Sequence, residues 1–365
     1  MDNLTHTLTG IALSQAGLNR KTRFATLALI LGSNAPDVDI VTRFRSSTTY
    51  LEYHRGITHS LLGASGLAVI LAALIYSLGR LARAKLSKPP LNARWLFLLC
   101  WMAVLGHIVL DFTNAYGVRP FEPFSGRWFS WDIMPIIDPT LLLLLVCGLG
   151  LPLLFRLVSE ELGARKTGYR RGAVVALVGM LLLWGLRDFS HRRALALLEA
   201  NNYGDEPAVR AGAFPTLNPL VWRGVVETDS AYHVLPANAL ASDVAADYAT
   251  SFRKPQPSPA LAAALQTHVG RVFSNFARFP WAQVEVISGA QTGSGQDGAE
   301  DNTAGQHQAS AGFGGGSQAD VDGYEVRIHD LRFGAESGAF QASIDLDRNL
   351  RPHSETFTFM GRPAD

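Results

Sequence analysis

The sequence predicts a mainly α chain: a polytopic transmembrane helical bundle over residues 1–200, then a small α+β extramembrane domain over residues 201–365. Three observations carry that expectation. Four runs without a charged side chain crowd the first half of the chain, the composition changes near Arg187, and beyond it apolar and polar residues alternate. The bulk figures agree. Apolar residues make up 48% and charged residues 17%, and the mean hydropathy is +0.12, between the values expected of a soluble protein and an all-membrane one. A net charge of +1 gives no basic footprint for nucleic acid, so no nucleic-acid partner is expected.

Taken in order, Leu4–Leu18 is semi-polar with apolar residues near helical spacing, and Phe24–Leu31 is apolar but short. These two predict a hairpin of half-length helices, tolerable in a bilayer only if protein covers them. The four long runs are Leu61–Leu78, Trp95–Leu110, Thr140–Phe155 and Gly172–Leu186. Each falls slightly short of the roughly 20 residues that cross a bilayer core. Flanking Arg80, Arg156 and Arg187 would snorkel and supply the missing turn. Cys100 and Cys147 lie inside such runs and read as buried small hydrophobes rather than a disulfide or zinc site.

Arg187–Ala200 reads as a helix leaving the membrane, and Asn201–Pro219 as a connector. The alternating segments Val221–Asp229, Ala231–Leu235, "WAQVEVI", "GYEVRIHDLRF" and "GAFQASIDLD" predict a small antiparallel sheet, with Pro257–Phe279 as a helix. A Gly/Ser/Gln/Asp tract at about 288–323 predicts a disordered insertion, in which His307 has no role.

The N-terminal "MDNLTHTLTG" lacks a basic n-region, so no cleaved signal is expected. Basic residues set the orientation. The loops Gly79–Arg94 and Arg156–Arg171 are richer in Lys and Arg than Pro36–Ser60 and Phe112–Pro139. That asymmetry predicts a multi-pass protein whose two basic loops are cytoplasmic and whose C-terminal domain lies outside, periplasmic in a bacterial inner membrane.

Chemistry concentrates in one set of side chains. His6 sits on the first weak helix, Asp37 and Asp39 in "PDVD" on a stretch expected to be extended, and His54 and His59 flank "RGIT" before the first long run. In an extended stretch residues i and i+2 point the same way, so both aspartates could reach one cluster, one of them bridging. His107 and Asp111, four apart on a helix, share a face. Imidazole and carboxylate suit zinc and other first-row divalent ions. Seven such groups exceed one catalytic zinc's needs, which points to two or more ions. The topology brings them together: entering through Leu61–Leu78 and returning through Trp95–Leu110 puts His59 and Asp111 on one side of the membrane.

"DNLTHTLTG", "NAPDVD", "HRGITHS" and "GHIVLDFTNAYGVRPFEPFS" resemble the YdjM/YbcI-type family, described as LexA-binding, inner-membrane-associated metal-dependent hydrolases. The resemblance covers roughly residues 1–200 and the remainder more loosely. It implies that His6, Asp37, Asp39, His54, His59, His107 and Asp111 form the metal set. "LexA-binding" reflects control of a gene by that repressor and implies no protein partner. The pattern is also similar, more distantly, to zinc-dependent phospholipase C and related helical nucleases.

Other polar residues receive plainer roles. Asp138 before Pro139 reads as a helix cap, as do Thr58 and Ser60. Arg55 could clamp an anionic substrate or pair with a site carboxylate. Asp132 is undecided, and Phe121, Phe124, Trp128, Phe129 and Trp131 suit an interfacial belt. His191 reads as a surface residue, and His233 and His329 as strand residues with no metal spacing. The expected function is hydrolysis of a phosphoester, lipid or small-molecule, by metal-activated water. Asp37, Asp39 and Arg55 would do the catalysis, two or more zinc ions would serve as cofactors, and membrane lipid would be the partner. The competing expectation is a non-enzymatic membrane metal-binding or sensing protein. A transporter is disfavoured because the ligands gather at one face rather than at the bilayer midplane.

Overall fold

The computed structural model describes residues 1–81, 89–161, 170–288, 321–334, 340–359 and 362–363. The chain divides into two compact units, Met1–Arg253 and Lys254–Ala364.

In the first unit, α1 (Asn3–Gln15) is capped by Asp2, whose carboxylate accepts from the Thr5 amide at 2.9 Å. It packs on α2 (Ala25–Gly32), giving the expected half-length hairpin. Next come a 3₁₀ segment at Ala35–Phe44, α3 (Ser47–Tyr53) and a 3₁₀ turn at Ile57–His59. The long helices follow as α4 (Leu61–Leu81), α5 (Ala93–Phe112), α6 (Pro139–Glu161) and α7 (Arg170–Glu199). Helices α4 and α5 pair antiparallel, and Trp101 Nε1 donates to Ser65 Oγ at 3.3 Å between them. Helix α2 closes a core with them through Leu29, Leu96, Leu99 and Ala103.

Among the described residues, three helices are long and apolar enough to cross a membrane: α4, α5 and α7. In the expected fourth span, α6, the described residues give a shorter apolar helix, Pro139–Pro152. Helices α6 and α7 approach closely because small residues face each other. A side chain on Gly148 would meet Ala176 Cβ and the Gly172 carbonyl, and one on Gly172 would meet Gly148 and Pro152.

The run Gly172–Leu186 and the expected exit helix Arg187–Ala200 are one continuous helix, α7. Arg187 does not snorkel. It is fully buried, and its guanidinium donates to Asp138 Oδ2 at 2.6 Å and to the Thr216 carbonyl at 3.3 Å. Asp138 therefore does two jobs, since its other oxygen caps α6 at the Leu141 amide (2.7 Å). The last turns of α7 carry Ala194 and Leu198 into a core shared with Ala213, Trp222, Val226 and Leu235. Residue 200 thus falls inside the first unit. His191 is half-buried, with its ring 5.0 Å from that of Trp222.

The β segments form two main sheets instead of one. In the first unit, β1 (Asn202–Tyr203) and β2 (Glu206–Pro207) make a small hairpin. Beside it β3 (Arg210–Pro215), β4 (Val221–Glu227), β5 (Ala231–Asn238) and β6 (Thr250–Arg253) build an antiparallel sheet in chain order. The second unit holds α8 (Pro259–Gln266) and α9 (His268–Phe276), two helices in place of the one expected, because the Thr267 side chain starts a new cap at the Gly270 amide. Its sheet has the order β11-β10-β9-β8-β7, from β7 (Pro280–Ser288), β8 (Val321–Asp330), β9 (Phe340–Asp347), β10 (Pro352–Phe359) and β11 (Arg362–Pro363). Phe273 and Phe276 of α9 pack on Phe357 and Phe340 of this sheet. Nearly all of the tract expected to be disordered, including His307, lies outside the described residues.

Candidate metal centre

At one end of the α4–α5 pair, four side chains point at one another. His59 Nε2 and His107 Nε2 are 3.1 Å apart. Asp37 Oδ1 lies 3.6 Å from the first and 3.4 Å from the second. Asp111 Oδ2 lies 3.4 and 3.5 Å from the same two nitrogens. All four donors fall within 4.8 Å of one another.

That geometry fits a divalent ion. Ligand distances of about 2.0–2.1 Å in a tetrahedral site put donors about 3.3 Å apart, and five of the six separations are 3.1–3.6 Å. The tautomers fit as well. His107 Nδ1 donates to the Ser33 carbonyl at 2.8 Å, so a neutral ring leaves its Nε2 bare. His59 Nδ1 faces Thr58 Oγ1 at 3.0 Å and Asp39 Oδ2 at 3.3 Å. Neutral His59 therefore also aims a lone pair inward. Two lone pairs at 3.1 Å repel unless a cation or proton lies between them.

Each donor is placed by local sequence. Serine 60 caps α4 by accepting from the Gly63 amide at 3.0 Å, which leaves His59 just outside the helix. His107 and Asp111 occupy successive turns near the C-terminal end of α5. The "PDVD" stretch is not extended: Pro36 opens the 3₁₀ segment Ala35–Phe44, as proline suits a first turn. With about three residues per turn, Asp37 and Asp39 point in different directions and flank His59 from two sides. Asp37 faces Nε2 and Asp39 faces Nδ1.

Asp39 is fully engaged. Its Oδ1 accepts from His54 Nδ1 at 2.9 Å, and its Oδ2 accepts from the Arg55 amide at 3.0 Å and from Thr58 Oγ1 at 2.9 Å. Thr58, expected as a cap, is instead a link between His59 and Asp39. His54 stacks on Tyr50, with ring centroids 4.4 Å apart. His6 stacks on His107 at 3.8 Å with Nε2 3.3 Å from Asp111 Oδ1; both its nitrogens are buried without a hydrogen-bond partner. All seven histidines and aspartates of the expected set thus meet in one neighbourhood, four of them as the compact donor group.

Arg55, left between two roles by the sequence, pairs with a site carboxylate: its Nη2 is 3.0 Å from Asp111 Oδ1. Its Nη1 donates to Asn114 Oδ1 (3.0 Å) and the Gly117 carbonyl (3.2 Å), and its plane lies 4.8 Å from the Tyr116 ring. The Arg55 backbone holds φ 55°, a conformation uncommon for a side-chain-bearing residue. The α-amino group of Met1 also contacts Asp111 Oδ1. Sequence reasoning missed Asn114, Tyr116 and the Ser33 carbonyl. Asn114 stands three residues after Asp111 and could have been flagged, whereas a backbone carbonyl leaves no trace in residue type.

Electrostatics are strongly coupled here. Burial alone would depress the His59 imidazole, but hydrogen bonds to Asp111, Asp37 and Asp39 outweigh it and raise its pKa to about 10. Burial would raise Asp37 and Asp39; contacts to His107 and His59, and to His54 and His59 respectively, hold both well below the usual carboxylate range. His6 is pushed down to about 4 by burial, reinforced by His107. Asp37 is the most open of the four donors, its side chain 18% exposed.

The model of the YdjM inner membrane protein family matches residues 1–194. "Uncharacterized protein YfhP" of Bacillus subtilis (strain 168) is 33% identical over 150 residues, 38% of this chain and 42% of YfhP. The chain thus spans less than half the length of that relative. No solved structure matches.

Proposed function

Since this chain belongs to the YdjM inner membrane protein family, we propose that it is a membrane-bound metal-dependent hydrolase, cleaving a phosphoester with metal-activated water. The observation that carries the reading is the meeting of Asp37, His59, His107 and Asp111 at one point with a buried guanidinium beside them. A divalent ion bound there supplies Lewis acidity and lowers the pKa of water toward neutrality. Asp39 orients the imidazoles of His54 and His59. Arg55 offsets the charge of Asp111 and, from the same position, can meet negative charge growing on a phosphoryl oxygen. Asp37, the most open donor, faces the side from which substrate and water arrive. Zinc suits this donor set. His6 and the Asp39–His54 pair are the groups left for a second ion. Family membership supports the inner membrane and the three long apolar helices a multi-pass arrangement, and the loop charges favour a periplasmic position for the second unit.

One observation favours a second reading, a non-enzymatic metal-binding protein. His59, His107 and Asp111 are buried, and four protein ligands close a tetrahedral zinc. Purified protein in detergent, assayed for bound metal and for turnover of a phosphoester panel, separates the two. Turnover that disappears in Asp37→Asn and His59→Ala, with thermal unfolding unchanged, supports the hydrolase. Full metal loading with no turnover on any ester overturns it.

A further inference from the structure

The 3₁₀ segment that carries Asp37 has three distinct faces, because residues three apart eclipse one another in such a helix. Pro36 and Asp39 form the inward, buried face. Val38, Val41 and Phe44 form another, and all three are exposed, Phe44 at 92%. A row of large apolar side chains facing outward beside the donor group is unusual for a surface bathed by water.

The row is part of a wider collar. Asp39 ties the segment to the turn at Arg55 and Thr58, next to exposed Ile57 and, at the start of α4, exposed Leu61. The Leu61 amide donates to the Pro120 carbonyl at 3.0 Å, docking the following loop on that first turn. From this loop Phe121 is exposed and Phe124 is 87% exposed. Leu62, Val69 and Ile70 are also exposed on α4, a helix long and apolar enough to span a bilayer. Arg43 and Arg45, both exposed, flank Phe44. Apolar side chains interleaved with arginines match the boundary between acyl chains and anionic headgroups.

We propose that the Val38–Val41–Phe44 face, with Phe121 and Phe124, is immersed in the lipid headgroup–acyl boundary. The metal centre is then entered from the lipid side, past Asp37. Its substrate is a phosphoester borne by a membrane lipid; this last clause rests on the hydrolase reading, and the immersion does not.

The test is depth measurement on the full chain, reconstituted into vesicles of phosphatidylcholine and phosphatidylglycerol. In a Cys100→Ala/Cys147→Ala background, nitroxide labels are placed at Phe44→Cys and Phe124→Cys. Ile70→Cys on the outer face of α4 serves as the lipid reference, and Asp205→Cys in an exposed turn as the aqueous one. The ratio of collisions with oxygen to collisions with a nickel chelate is expected to be several-fold higher at Phe44 and Phe124 than at Asp205, approaching Ile70. A ratio equal to that at Asp205 overturns the proposal, as does dipolar broadening at Phe44, which would mean that a second copy covers the face. For the substrate, Phe44→Asp is expected to slow cleavage of a vesicle-borne phospholipid several-fold and leave a water-soluble phosphoester unaffected. Equal loss on both overturns the lipid assignment. If neither ester turns over, the hydrolase reading and the substrate fall together, while the collision ratios still decide immersion.

Discussion

His107 Nδ1 and the carbonyl oxygen of Ser33 lie 2.8 Å apart, across 74 residues of sequence. A carbonyl only accepts, so the bond fixes which imidazole nitrogen is left for an ion. Thr58 does the same for His59 through a side chain, since it stands between that ring and Asp39. Partners of this kind tune metal affinity. Thr58→Val, which keeps the shape and removes the hydroxyl, is expected to weaken metal binding by about 10- to 100-fold, with Thr58→Ser restoring most of it. A chelator competition titration measures this; unchanged affinity in the valine variant would show the hydroxyl to be idle.

Ion binding should be coupled to proton release. In the metal-free site His59 titrates at about 10 instead of 6.5, so it is cationic at neutral pH and must lose its proton to become a ligand. Through neutral pH the metal affinity is therefore expected to rise with pH. The stability of the metal-free protein runs the other way. Because the folded pKa is raised, the contribution of cationic His59 is complete below 6.5 and is lost as pH climbs through about 10. Titrations at three pH values check the slope, and His59→Asn should flatten it.

Much of this was legible in the sequence. The half-length hairpin, the antiparallel α4–α5 pair and the convergence of His59 with Asp111 follow from apolar run lengths and from which ends of two runs carry histidine and aspartate. The conformation of "PDVD" was not. Two aspartates separated by one residue suggest a strand, but the apolar repeat of Val38, Val41 and Phe44 has period three, a signal that a search for periods of 2 and 3.6 passes over. Arg187 was misread for a related reason. An arginine at the end of an apolar run snorkels by default, and only the tertiary fold reveals that Asp138 and the Thr216 carbonyl wait for it inside. Period-two alternation identified strands but carries no information on which sheet each one joins.

The close approach of α6 and α7 makes a packing prediction. Gly148 faces Ala176 and the Gly172 carbonyl with no room for a side chain. Gly148→Val should cost about 1–3 kcal/mol through overpacking, seen as a lower unfolding temperature in detergent. Gly150→Val, two residues along and open to space on the same helix, is the control and should change little.

The pair formed by Arg187 and Asp138 yields an asymmetric prediction, because removing one buried charge differs from removing both. Each side chain is fully buried, so either charge alone would sit desolvated. Arg187→Met strands the Asp138 carboxylate and is expected to cost about 3–5 kcal/mol. Adding Asp138→Asn removes the stranded charge, and asparagine still caps α6 as well as aspartate does. The double variant should therefore recover most of the loss despite having two substitutions. Thermal unfolding of the single and double variants in one detergent measures the difference. A double variant no more stable than Arg187→Met would mean that the guanidinium matters through its packing and its bond to Thr216 rather than through its charge.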